Sequence, residues 1–482
     1  MIILGTNSIK DTGYDVANSL RFNDGDSPSM SKSISSTGNA QFSIFSCWVK
    51  RGVLGTNQTI LNYHINASNT TQFGFNSDDK LIFHVKDGGS DIVSLISNAV
   101  FRDTSAFYHV MLVQQQNATS ASDRIKIMAN GSRLTLATST IPGNLSSNHW
   151  VAGGDGSWSP RIGFNDGADN NYFDGYLTEV VFLDGHTIPN SNDADYTANA
   201  NSTVEYDEDS GILKPKNPTG LSFGTNGYYL DFKDSSALGN DAAGSNNFSV
   251  TNLAATDQTT DTCTNNFATM NPLDNFYASS TFSEGNTNIV TDASSKATNT
   301  STFGINSGKW YCEIKAVQIY NGNAQFGIKG KVSTSTSDGV GEGTDGYCYT
   351  ASNGNKINNG SASSFGTTWN NNDIIGIAVD LDNNKLYFSR NGTWQSSGDP
   401  TSGATGTGSA FNIGTPSSGF YFIATSDNDT SDGSANNYLF NFGSPEFAIS
   451  SGNTDGSGFG NFEYAVPSGY FALCTKNLAE NG

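Results

Sequence analysis

The chain has 482 residues, with 24 Lys and Arg against 45 Asp and Glu, for a formal net charge of −21. That length suits two or three domains of roughly 150 residues each, and 30 Phe, 19 Tyr and 6 Trp exclude a disordered chain. Strong acidity without a basic cluster excludes nucleic acid as a partner and argues against an anionic membrane surface.

Charged residues make up 14% of the chain, and only nine of the acids are Glu, the other 36 being Asp. Asp belongs to turns where Glu belongs to helices. With 53 Gly and aromatic runs between polar turns, the expected class is all-β. The five Cys (47, 263, 312, 348, 474) show neither a metal nor a disulfide spacing and read as small buried hydrophobes. The first residues lack the basic and apolar regions of a signal peptide, and no run approaches the ~18 apolar residues of a membrane span. Synthesis in a reducing cytoplasm without secretion is the expectation.

In chain order, residues 1–13 read as an N-terminal attachment peptide. Residues 14–190 hold alternating, β-branched and aromatic runs at 41–49, 81–85 and 106–113. Runs at 124–129 and 133–136 flank Asn130-Gly131, a pair that predicts a type I′ hairpin because both turn residues need positive φ. Residues 191–275 contain one convincing strand, 227–232, amid Asn, Asp, Thr and Ser, and read as an extended connector that packs on its neighbours. Residues 276–447 return to strands at 310–317, 324–329, 374–381, 385–389, 420–424 and 437–442, before a tail at 448–482. No segment carries a 3.6-residue apolar period or heptads.

Several of these motifs fall in a familiar order. Ser19-Leu-Arg-Phe-Asn-Asp, Ile44-Phe-Ser-Cys-Trp-Val-Lys-Arg, residues 125–131 and Phe173-Asp-Gly-Tyr-Leu-Thr-Glu-Val resemble a laminin-G-like, concanavalin A-type jelly roll. Gly308-Lys-Trp-Tyr-Cys-Glu-Ile, together with residues 376–394, is similar to a SPRY domain. With the connector motifs at 231–241 and 265–272, the whole resembles tail-fibre-like virion proteins of tailed, marine-type bacteriophages. The resemblance implies two β-sandwich domains joined by a packed connector. It also implies a place in the virion, other tail or capsid proteins as partners, and a host-surface glycan or protein as target. A homotrimer is expected by analogy with fibres.

Catalysis and metal binding can be weighed on residue types. A retaining glycosidase needs two carboxylates about 5–5.5 Å apart, which a strand supplies as Glu-x-Asp-x-Glu. That pattern is absent, and Glu205, Asp207, Glu208 and Asp209 cluster with other spacing in the connector. Gly220-Leu-Ser-Phe-Gly matches a nucleophile elbow in letters but lacks the strand–turn–helix context. The five His (64, 84, 109, 149, 186) show no ligand spacing, so no enzyme activity and no required cofactor are expected. Calcium is the most plausible ion, at Asp427, Asp429 and Asp432, although Gly433 stands one place late for an EF-hand and Tyr438 replaces its closing Glu.

Glycan contact calls for exposed rings beside amide and carboxylate groups. Trp158, Tyr172 and Trp394 lie in loop-like stretches and are the candidates, whereas Trp48, Trp310 and Trp369 sit in core-like runs. The reading from sequence is host-surface recognition and attachment. A capsid or tail decoration role without receptor binding is the alternative, with polysaccharide degradation behind it.

Overall fold

The computed structural model describes residues 13–39, 41–141, 158–165, 171–188, 197, 199–277, 279–292, 296–320, 322, 324–331, 339–427 and 434–482. The expected all-β class is what forms. The only α-helices among the described residues, Ala121–Arg124 and Thr475–Asn481, are four and seven residues long, too short to leave a period in the sequence. The chain divides into two units between Thr264 and Asn265.

The first unit is built on two eight-stranded sheets. One centres on Phe42–Arg51, paired antiparallel with Tyr108–Gln115 on one side and Gly175–Asp184 on the other. The second runs Leu136–Thr140, Ser90–Val100, Lys80–Asp87, Asn69–Phe75, Gln58–Asn66, Ser159–Ile162, Ser29–Ser31, Ser249–Thr251. The Asn130-Gly131 hairpin forms as expected, with φ of 48° and 78°. Its two positive angles let the twist of Ile125–Ala129 pass smoothly into Ser132–Arg133.

Strand alternation explains the packing. Phe45, Cys47 and Val49 enter the core between the sheets. Ile44 and Trp48 point the other way and would face water in a simple sandwich, yet both are buried. Their cover comes from downstream chain, including Ile188, Val204, Leu213, Tyr229 and Cys263. Short strands from the same stretch also extend the sheets, with Tyr228–Leu230 on Gly175–Asp184 and Gln258–Thr259 on Ser19–Phe22. One bulge resets the alternation. Thr178 pairs with Trp48 and Val181 with Ser46, so Gly175–Asp184 carries one extra residue. Leu177 is therefore inward before the bulge, and Val180 and Phe182 after it.

The second unit repeats the plan with a seven-stranded and a nine-stranded sheet. Lys309–Gln318 is central to the larger one, between Asn437–Asn441 and Ile374–Asp380. Trp310, Cys312, Ile314 and Ala316 fill the core, while Tyr311 faces outward beneath the C-terminal segment with Phe462, Tyr470 and Cys474. The turn at 381–384 returns the chain into Lys385–Arg390, as its Asp-Asn-Asn sequence predicts. The smaller sheet ends in Ser361–Ser364, four exposed small residues. All five cysteines are free and buried.

Candidate ligand-contact site

Tyr172 is half-buried, and its ring lies on Phe164 with centroids 4.5 Å apart and planes 18° from parallel. The Arg161 guanidinium stands 5.9 Å from the Phe164 centroid. Local structure makes this stack. Ser159–Ile162 is held between Gln58–Asn66 and Ser29–Ser31, which fixes Arg161 on a strand. Gly163 then turns the chain with φ of 80°, where a Cβ would come within 2.5 Å of the Phe22 ring. Its backbone N–H donates to Ile60 and its carbonyl accepts from Phe173, which brings Phe164 and Tyr172 to one side of the sandwich. The half-buried rings offer apolar surface of the kind that suits the C–H face of a sugar ring, with the guanidinium beside them. Sequence reading singled out Tyr172 but passed over Phe164 and Arg161. The pairing depends on two segments meeting around Gly163, and only the Gly-Phe-Asn step at 163–165 hinted at it.

The other candidates lie elsewhere. Trp158 was expected in a loop with an available ring, but it is 1% exposed and belongs to the core of the first unit. Trp394 is half-buried in the second unit, edge-on to Tyr311 at 6.4 Å and Tyr387 at 6.5 Å, and packs on the cluster that holds them. Within the first unit, the buried Trp158 ring therefore does not join Tyr172 in an exposed site. Asp427 is 1% exposed, and its Oδ2 accepts from the Thr291 hydroxyl at 2.8 Å and the Asn436 amide at 2.5 Å. Its carboxylate is thus engaged inside the fold. Asp429 and Asp432 lie outside the described residues. Among the described residues, no three His, Cys, Asp or Glu side chains are grouped to hold a metal ion.

Two buried carboxyls stand out electrostatically. Glu179 is the bulge residue, with φ of 50°, and it accepts hydrogen bonds from Tyr229 at 2.8 Å and Tyr14 at 3.1 Å. Burial pushes its carboxyl up to about 7. Glu313 in the second unit is also raised by burial, and it accepts from the backbone N–H groups of Glu463 and Tyr464, the Tyr311 hydroxyl and the Asn441 amide. A raised carboxyl is what a general acid needs, but each of these two is enclosed by its own donors. His109 is fully buried, with its ring 5.2 Å from Trp48 and its Nε2 2.8 Å from the Ser46 hydroxyl; burial pushes it down to about 3. It packs as a neutral ring. Glu205 and Asp207 flank Lys214 at 3.7 and 3.4 Å across the hairpin of Val204–Tyr206 and Leu213–Pro215.

Comparison with known proteins agrees with this architecture. Residues 23–187 match the concanavalin A-like lectin/glucanases superfamily, in its laminin-G-like form, and residues 309–411 match the SPRY domain. The chain thus carries a concanavalin A-like domain and a SPRY domain, one in each unit. Among solved structures, it is similar to a putative carbohydrate binding protein from Bacteroides ovatus at 15% identity and a TM-score of 0.32, covering 50% of this chain and 61% of that one. The SPRY domain of human HERC1 aligns at 16% identity and a TM-score of 0.25, over 32% of this chain and 87% of that one. A heptameric SAP-like pentraxin from Limulus polyphemus aligns at 15% identity and a TM-score of 0.25, over 36% of this chain and 80% of that one. No curated protein matches the chain.

Proposed function

We propose that this protein is a non-enzymatic binding component of a bacteriophage virion, of tail-fibre or spike type, that attaches to a glycan on the host surface. The observation that carries the reading is the Phe164–Tyr172 stack beside Arg161 on a concanavalin A-like domain. A second module of a binding fold, the SPRY domain, supports recognition over catalysis. The virion assignment rests on the order of motifs along the chain and on an aromatic, acidic, polar composition suited to a particle surface. One shallow aromatic platform gives weak affinity, so the reading includes a homo-oligomer, with a trimer expected, whose repeated sites act by avidity.

The test is binding of the purified chain to intact host cells, with competition against phage adsorption, in calcium and in EDTA. Saturable binding that blocks adsorption supports the reading, and its loss in EDTA brings calcium into the site. A folded oligomer that binds no cells overturns it in favour of a decoration role, and depolymerised polysaccharide would make the protein an enzyme.

A further inference from the structure

A cavity of about 430 Å³ opens beside Ser249–Thr251, the terminal strand of the second sheet of the first unit. We infer that it is a second carbohydrate site, shaped for an uncharged sugar ring. This rests on the recognition reading above and adds a place and a ligand class to it. The volume lies near the lower end of the range for small-molecule sites, roughly 300–1,000 Å³, and suits about one or two rings.

Its floor is the margin of the hydrophobic core. Leu238 and Phe248 are buried, Leu253 is half-buried, and Val250 at the rim is 40% exposed. These groups present an apolar surface to the C–H face of a pyranose. Polar groups stand around them. Among the described residues, the Ser235 hydroxyl and the Asn240 amide have no hydrogen-bond partner. Asn247 uses its side-chain oxygen to accept from the Asp241 N–H at 2.9 Å, which leaves its NH₂ for a ligand. Sugar hydroxyls both donate and accept, and this set offers both.

Among the described residues, no charged one lines the cavity. The acids nearby in sequence are turned to other tasks. Asp241 accepts from the backbone N–H groups of Tyr229, Ala243 and Asn246, and Asp234 accepts from Ser236. Lys233 pairs with Asp231 at 3.3 Å. A uronate or sialate entering here would lose hydration without gaining a cation, so the lining selects neutral sugars.

The walls are fixed before any ligand arrives. Ala237 and Asn240 close successive turns onto Asp234 and Ala237, and the Phe248 N–H donates to the Gly239 carbonyl at 2.8 Å. A Cβ at Gly239 would stand 2.0 Å from the Phe248 carbonyl oxygen, so glycine is what lets the two walls meet. Such preorganisation spares the ligand the cost of ordering the loop.

The experiment is saturation-transfer NMR on the full chain with the methyl glycosides of glucose, galactose, mannose and N-acetylglucosamine, and with glucuronate and galacturonate as charged probes. Cell binding is measured on the same samples. We expect transfer to at least one neutral glycoside, none to the uronates, and at least roughly tenfold weaker binding in Ala237→Trp, which fills the mouth from an exposed position. Ala254→Trp, at another exposed lining position, is the second variant, and each is checked for unchanged near-ultraviolet circular dichroism. Transfer to no neutral glycoside, preference for the uronates, or full binding in both folded variants overturns the inference. If cells are bound while these results are negative, the cavity assignment fails alone; if no cells are bound, the recognition reading fails as well.

Discussion

Lys50 Nζ lies 2.8 Å from the Asp261 carboxylate, with both side chains 1% exposed, and the ammonium stands 5.4 Å from the Tyr176 ring centroid. The pair ties the centre of the first sheet to a residue over two hundred positions later. Removing one partner leaves a buried, uncompensated charge. Asp261→Ala is therefore expected to destabilise the first unit by about 3–5 kcal/mol, whereas the double change Lys50→Met with Asp261→Leu stays near neutral. Urea unfolding of the full chain, followed in the transition of that unit, distinguishes the two.

Glu179 makes stability depend on pH with a definite sign. Its carboxyl sits near 7 in the fold, against an ordinary 4.5. Below the ordinary value both folded and unfolded chains hold the proton, and the group costs nothing. As pH rises to about 7 the unfolded chain releases its proton first, so stability falls, and above that it levels off. Glu179→Gln, which keeps an acceptor for Tyr229, is expected to match the wild type at pH 4 and exceed it at pH 8 by on the order of 3 kcal/mol. Denaturant midpoints at the two pH values check this. A constant difference across the range would refute it.

Glu313 latches the C-terminal segment to the larger sheet of the second unit through two backbone N–H groups, at 2.9 and 2.8 Å. Glu313→Gln replaces one carboxylate oxygen by a donor, which cannot receive an N–H. Leaving a buried donor unsatisfied costs about 1–3 kcal/mol. Hydrogen exchange should therefore quicken around residues 459–464 while the strand Lys309–Gln318 keeps its protection.

Much of this was legible in the sequence, for physical reasons. Phe42–Arg51 and Lys309–Gln318 are long and alternate regularly, and Asn130-Gly131 states its turn outright. What stayed hidden has no local signature. Ser249–Thr251 and Gln258–Thr259 are three and two residues long, shorter than any period can register. Trp158 stands among glycines and serines and reads as a loop aromatic, but the start of Ser159–Ile162 carries it into the core. Phe164 and Tyr172 meet only once the chain has turned at Gly163.

The platform can be tested against the rest of the fold. Tyr172→Ala removes a half-buried ring from the rim of the first unit, and truncating a central aromatic contact costs about 2 kcal/mol or more. Cell binding is expected to fall roughly thirtyfold with little change in thermal stability. Trp394→Ala should do the reverse, because that ring packs with Tyr311 and Tyr387. It is expected to lower the melting temperature of the second unit and leave binding as it was. Loss of binding in Trp394→Ala at unchanged stability would move the site to the SPRY domain.

The short polar strands at three sheet margins bear on life at high local concentration. Leu136–Thr140 and Ser249–Thr251 end one sheet, and Ser361–Ser364 ends another, all rich in Ser and Thr and largely exposed. An open margin is a template on which a second chain can add a strand, and a long apolar one invites fibres. Margins a few residues long, with no apolar stripe to repay the pairing, give a neighbouring copy little to grip. Copies crowded side by side can then stay separate folded bodies rather than fuse through their sheets.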